Sequence, residues 1–251
     1  MIAAVGGARR WQCGAMRRPR NDPAQYDDLA DEWWRPWGRF AGLQALALER
    51  AALVPPAPYP GAPLLDVACG AGLLAPHVRG RLDGWRHVGL DVSSGSLRQA
   101  RDHGVAPVLA DALRLPFADA SFAGVVAGEV LEHLADLDGA CAELARVLAP
   151  GGVLVLDTIA DSLFARVAVV RIAERLPGGP PPRVHDPALL VDPGRLRSLL
   201  AAYGVRLVYL GGLRPSVRGY AAWLARRTDR VRLLRTRSTA GLYQAVGVKL
   251  G

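Results

Sequence analysis

The stretch Leu64-Leu65-Asp66-Val67-Ala68-Cys69-Gly70-Ala71-Gly72-Leu73-Leu74 constrains this chain more than any other. A short apolar run of this kind reads as a buried strand, and the glycines after it permit the positive φ of a tight turn before a helix starts. The first amides of that helix lack partners in the chain and can face a polar or anionic ligand. Asp91 ends the next apolar run, 19 residues beyond Gly72, where a carboxylate can accept both hydroxyls of a ribose. Gly70 to Ala75 also satisfies a loose G-x-G-x-x-A pattern, so on spacing alone a nicotinamide enzyme is a live alternative.

The rest of the chain agrees with a loop of this kind. Apolar runs at 64–68, 87–90, 107–110, 122–127 and 153–157 alternate with helical segments at 73–82, 94–103 and 136–149. A further helix is expected near 193–203 and strands near 205–210 and 242–248, which makes seven strands. The pattern predicts an α/β fold, an open, Rossmann-like doubly wound sheet with helices on both faces. Residues 26–53 read as a helical lid broken at Pro36, followed by the proline-rich Pro55–Pro60. We expect residues 1–22 to be a flexible basic lead-in, with Met16 as an alternative start, and 23–251 to form a single domain.

Composition bounds the function. No apolar run approaches the ~18–20 residues of a membrane span, and Met1–Arg20 lacks the apolar middle of a signal peptide. Cys13, Cys69 and Cys141 have neither paired nor metal-type spacing, so a reducing cytoplasm is the expected place. The formal charge is +8, and every basic residue but Lys249 is arginine. The clusters at 9–20 and 214–237 can draw the protein toward anionic lipid or nucleic acid, or can be solvated surface.

Four stretches in order, Asp66–Gly72, His87–Asp91, Ala110–Ala112 and Leu148–Gly152, resemble the motifs of class I S-adenosylmethionine-dependent methyltransferases. The resemblance implies their seven-stranded sheet, S-adenosylmethionine as cofactor, and a cofactor site formed by Asp66, Ala68, Gly70, Gly72, Asp91, Val92, Asp111, Ala112 and Gly128. Ala68 stands where glycine is usual. The segment Tyr26–Arg50, with Trp33, Trp34, Gly38, Phe40 and Leu43, resembles the N-terminal helix of the O-methyltransferases of ubiquinone synthesis. In that family the arginine matching Arg50 holds the cofactor carboxylate, a role suited to a bidentate fork.

Gly128-Glu129-Val130-Leu131-Glu132-His133 follows the fourth expected strand, where such an enzyme opens its active site. A helix starting here would put Glu129, Glu132 and His133 on one face, as ligands of a divalent cation such as Mg2+. Without a metal, His133 serves as general base. His185-Asp186 resembles a His-Asp motif of the same family and makes His185 a second catalytic candidate, although Pro187 replaces the family's aromatic. Leu163, Phe164, Val167, Ala168, Val170, Ile172 and Leu176 form an apolar surface interrupted by Arg166, Arg171 and Arg175. Residues 161–192 thus read as a substrate- or membrane-facing insertion, with 161–176 as peripheral membrane contact on the cytoplasmic face or, equally, as a packing helix.

The expected reaction is methyl transfer to the oxygen of a phenolic or hydroquinone acceptor, lipophilic quinol and aromatic natural product both fitting. Carbon as acceptor stays open. Nucleic-acid methylation is disfavoured because Gly128–Leu131 lacks the Asn/Asp-Pro-Pro-aromatic tetrad of base N-methylating enzymes. A non-catalytic, membrane-associated S-adenosylmethionine-binding protein is the remaining alternative.

Overall fold

The apolar runs assemble into one mixed sheet of order β3-β2-β1-β4-β5-β8-β6-β7 in a computed structural model that describes residues 19–80 and 83–251. The lead-in expected at 1–22, with Met16, therefore lies outside the described residues up to position 18. Strands β1 (Ala62–Val67), β2 (Trp85–Asp91), β3 (Ala106–Leu109), β4 (Phe122–Gly128) and β5 (Leu148–Ile159) are parallel. α3 (Ala75–Arg79), α4 (Ser94–Asp102) and α5 (Leu137–Val147) join β1 to β2, β2 to β3 and β4 to β5, while a loop alone leads from β3 to β4. Burial on both faces explains why β1 and β4 read as near-continuous apolar runs. Ser93 caps α4 by accepting from the amide of Ser96, and Asp136 caps α5 through Gly139, which fixes where each helix begins.

β6 (Val205–Pro215) and β8 (Leu242–Lys249) complete the sheet antiparallel to their neighbours, after α7 (Pro193–Ala202). The sheet has eight strands, not seven. β6 runs past residue 210 to Pro215, and its far end pairs with β7 (Leu233–Thr236), with α8 (Val217–Leu224) between them.

Two helical expectations are also corrected. The span 26–53 holds only α1 (Ala24–Asp28), a 3-10 turn at Ala30–Glu32 and α2 (Ala41–Ala51). Pro36 and Gly38 bend the chain between them, and a Cβ on Gly38 would meet the carbonyl of Glu32 at 2.9 Å. The segment 162–176 is a helix of changing pitch: α6 (Leu163–Ala165), a π-helical stretch (Arg166–Ile172) and a 3-10 turn (Ala173–Arg175).

The chain runs outward through β2 and β3 and returns to β4 on the other side of β1. This reversal opens a crevice beyond the carboxyl ends of β1 and β4. Trp33 and Phe40 stack at 4.2 Å over Ala71 and Leu73, so the 24–51 segment covers that crevice. Trp223 Nε1 of α8 donates to the carbonyl of Pro36 at 2.8 Å and ties the cover to the far edge of the sheet.

Candidate active site

β1 ends in a backbone that side chains rarely adopt. Ala68, Gly70 and Gly72 have φ of 55°, 52° and 81°. The positive φ at Ala68 explains why glycine is usual there; alanine costs roughly 1–2 kcal/mol in this region. A Cβ on Gly70 would lie 2.5 Å from Trp33 Cη2, so only glycine lets the cover close on the loop. Gly72 faces the other way, against Ala100 and Val105, and serves helix packing. Asp91 Oδ2 accepts from the Gly70 amide at 2.9 Å and Oδ1 from the Ser93 amide at 2.8 Å. Burial raises the Asp91 carboxyl against the pull of these amides.

Asp66, Ala68, Gly70, Asp91, Val92, Asp111, Ala112 and Gly128 all border one cavity of about 610 Å³. Among the expected cofactor residues only Gly72 does not. Asp66 is buried and lies 3.3 Å from His87 Nε2, while Asp111 is exposed and holds its own turn through the Leu113 amide.

The cavity wall between β4 and β5 is a buried ion pair. Arg50 Nε and Nη2 donate to Asp157 Oδ2 and Oδ1 at 2.8 and 2.6 Å, and Gln244 Nε2 reaches Asp157 Oδ2 at 3.4 Å. Burial alone would loosen the guanidinium proton; Asp157 more than offsets it. The pair uses the side-on edge of the fork, so Nη1 is left outside it. A Cβ on Gly128 would fall 1.8 Å from Arg50 Cζ: the missing side chain makes room for the guanidinium.

No helix starts at Glu129. Its φ is 51°, and the only regular turn is the 3-10 turn Leu131–His133, so the shared face expected for Glu129, Glu132 and His133 is not formed. Glu129 turns toward Arg50 and Asp157, with Oε1 buried and unpartnered. Burial, reinforced by Glu132 and Asp157, raises its carboxyl strongly. Glu132 Oε2 accepts from the Thr158 hydroxyl at 2.6 Å, and its Oε1 is likewise unpartnered. Burial pushes Glu132 up to about 6 against that hydrogen bond and the nearby His185.

His133 is held by the N-terminal segment. Asn21 Nδ2 donates to the His133 carbonyl at 2.8 Å, which turns Asn21 Oδ1 to His133 Nδ1 at 2.5 Å. Nδ1 therefore carries the hydrogen, and Nε2 accepts from the Tyr26 hydroxyl at 3.3 Å. Burial, then His185, pushes His133 down to about 3, so the ring is neutral. Its stacked neighbour His185 lies 5.3 Å away between centroids. One ligand atom from each of Glu132, His133 and His185 lies within 4.8 Å of the others. That trio, with His185 in place of Glu129, is the group of potential metal ligands among the described residues.

Sequence reasoning missed Asn21, Tyr26 and Glu174. Glu174 is 3% exposed and accepts from the backbone amides of Arg183 at 2.8 Å and His185 at 3.2 Å, with His185 Nδ1 also at 3.2 Å. None of the three carries a spacing pattern that marks it; Glu174 follows a π-helical stretch and lies in a 3-10 turn, where α-helical spacing does not tell which side chains face inward.

Known proteins resemble this arrangement. Residues 65–156 match a family model described as a methyltransferase domain. A ubiquinone biosynthesis O-methyltransferase of Caulobacter vibrioides is 33% identical over 229 residues, covering 82% of this chain and 87% of that relative. The mitochondrial ubiquinone biosynthesis O-methyltransferase of Mus musculus is 29% identical over 210 residues, covering 75% and 56%. Among solved structures, a Thermotoga maritima S-adenosylmethionine-dependent methyltransferase, described as a possible histamine N-methyltransferase, superposes with TM-score 0.63. It is 18% identical, covering 90% of this chain and 96% of that one. Geranyl diphosphate C-methyltransferase from Streptomyces coelicolor A3(2) gives 0.61 at 15% identity, covering 83% and 79%. These structural likenesses speak for the fold alone.

Proposed function

Since the chain belongs to the ubiquinone biosynthesis O-methyltransferase family and is an S-adenosylmethionine-dependent methyltransferase, we propose that it methylates a phenolic or hydroquinone oxygen beside His133. One observation carries this reading. The unprotonated Nε2 of His133 already faces a phenol hydroxyl, that of Tyr26, inside the cavity that reaches the Gly70 loop. An acceptor phenol replacing Tyr26 would meet the same nitrogen.

S-Adenosylmethionine, when bound, supplies a sulfonium methyl that needs no further activation. The residues fit it: Gly70 and Asp91 border the cavity, Asp91 has further lone pairs for ribose hydroxyls, and Arg50 borders the cavity with Nη1 outside the Asp157 pair. His133 Nε2 takes the acceptor proton only as the oxygen bonds to the methyl, when that hydroxyl becomes more acidic than the ring, and the cover of Trp33 and Phe40 excludes water while the reactants are aligned. The unpartnered Glu132 Oε1 and the two histidines also suit a divalent cation, which when bound would lower the pKa of the acceptor hydroxyl. Two nitrogens and one oxygen match a zinc-like ion better than Mg2+.

A lipophilic acceptor and contact with the cytoplasmic membrane face belong to the same reading. Leu163, Phe164, Val167, Ile172 and Leu176 are exposed beside Arg171 and Arg175, and Phe164 and Leu176 also border the cavity. Among the described residues no helix is long and apolar enough to cross a membrane. The test is turnover of methyl-labelled S-adenosylmethionine with small and prenylated catechols, the product read by NMR. A methoxy product supports the proposal. A methyl on carbon, or tight S-adenosylhomocysteine binding without transfer to any phenol, contradicts it.

A further inference from the structure

We infer that His185 faces the acceptor beside its stacked neighbour His133, and that Glu174 is a positioning residue that keeps the proton of His185 on Nδ1 and so turns Nε2 toward that acceptor; this rests on the acceptor site proposed above at His133. Glu174 Oε1 receives both the backbone amide and Nδ1 of His185, a two-point hold by one residue on one oxygen. Its other oxygen receives the Arg183 amide and lies 3.7 Å from Arg20 Nη1. A carboxylate only accepts, so Nδ1 must donate, and in the neutral ring Nε2 keeps its lone pair. His185 and Glu174 are both 3% exposed, which removes water as a rival partner. Each oxygen of Glu174 accepts from a backbone N–H, which cannot itself accept, as suits an ionised carboxylate.

Glu174 also belongs to the 3-10 turn that ends the exposed apolar segment. The seating of that segment therefore sets the ring of a site residue 11 positions away in the chain. Nothing in the loop 177–184 alone could do so, because the two partners of His185 Nδ1 and its amide are the same side chain.

The experiment is histidine-selective 15N NMR of the full chain at mildly alkaline pH, with His185→Ala to assign the signal, beside turnover of a catechol. The wild type should show the Nδ1–H tautomer. Glu174→Leu removes both acceptor oxygens, so nothing on that side chain can hold the Nδ1 proton. It should move His185 toward Nε2–H and lower turnover about 10- to 100-fold, with S-adenosylhomocysteine affinity unchanged. An Nε2–H tautomer in the wild type overturns the inference, a result that stands even where Glu174→Leu does not fold. An unaltered tautomer and turnover in Glu174→Leu, with turnover lost in His185→Ala, overturns this inference alone. Full turnover in His185→Ala overturns the acceptor-side role of His185 as well.

Discussion

The two ends of the cavity are built in different ways. The cofactor end is mostly backbone: positive-φ residues 68, 70 and 72 follow one another, and Asp91 braces the Gly70 amide. The acceptor end is side chains gathered from afar, with His133 bonded to Asn21 across 112 residues and to Tyr26 across 107. A local loop holds its shape through chain geometry. A gathered site holds its shape only as long as each supporting segment stays seated, and it can change partners without disturbing the loop.

The largest expected effect falls at the acceptor end. His133→Ala should lower turnover by about 10²–10⁴-fold, the range of a lost general base, in steady-state assays with a catechol. Unchanged turnover would move the proton to His185 or to solvent. Next comes the wall that both ends share. Asp157→Ala leaves the Arg50 guanidinium buried without its partner and should cost about 3–5 kcal/mol in chemical denaturation; a loss under ~1 kcal/mol is what an exposed pair would give. Asp91→Ala should weaken cofactor binding by about 1–3 kcal/mol in calorimetry, and unaltered binding would sink the assignment of Asp91 to the ribose. The smallest effect is at Ala68. Replacing it with glycine should raise stability by up to ~1 kcal/mol by relieving the left-handed backbone, and a fall in melting temperature would mean that packing of its methyl outweighs the strain.

The same contrast explains what could be read from the sequence. The cofactor end was legible because its residues are consecutive and each does its work through backbone geometry that glycine and a strand-end acid reveal. The strands expected at 64–68 and 122–127 became Ala62–Val67 and Phe122–Gly128, since runs buried on both faces announce themselves. β7 was not legible: Leu233 and Leu234 sit among Arg230, Arg232, Arg235 and Arg237, and the strand exists only because the long β6 offers it an edge. The helix expected at Glu129 failed because that residue turns left-handed toward Arg50 and Asp157, a tertiary contact that no spacing rule contains. At the acceptor end, His133 and His185 were marked by their motifs. Asn21, Tyr26 and Glu174 were not, since their partners lie in other segments of the chain.

The independence of the two ends can be measured directly, by calorimetric titration of the His133→Ala/His185→Ala variant with S-adenosylhomocysteine, beside the wild type and its turnover. Wild-type affinity with turnover lost is the expected result. Affinity that falls in step with turnover would contradict it, and would make the cavity one site rather than two.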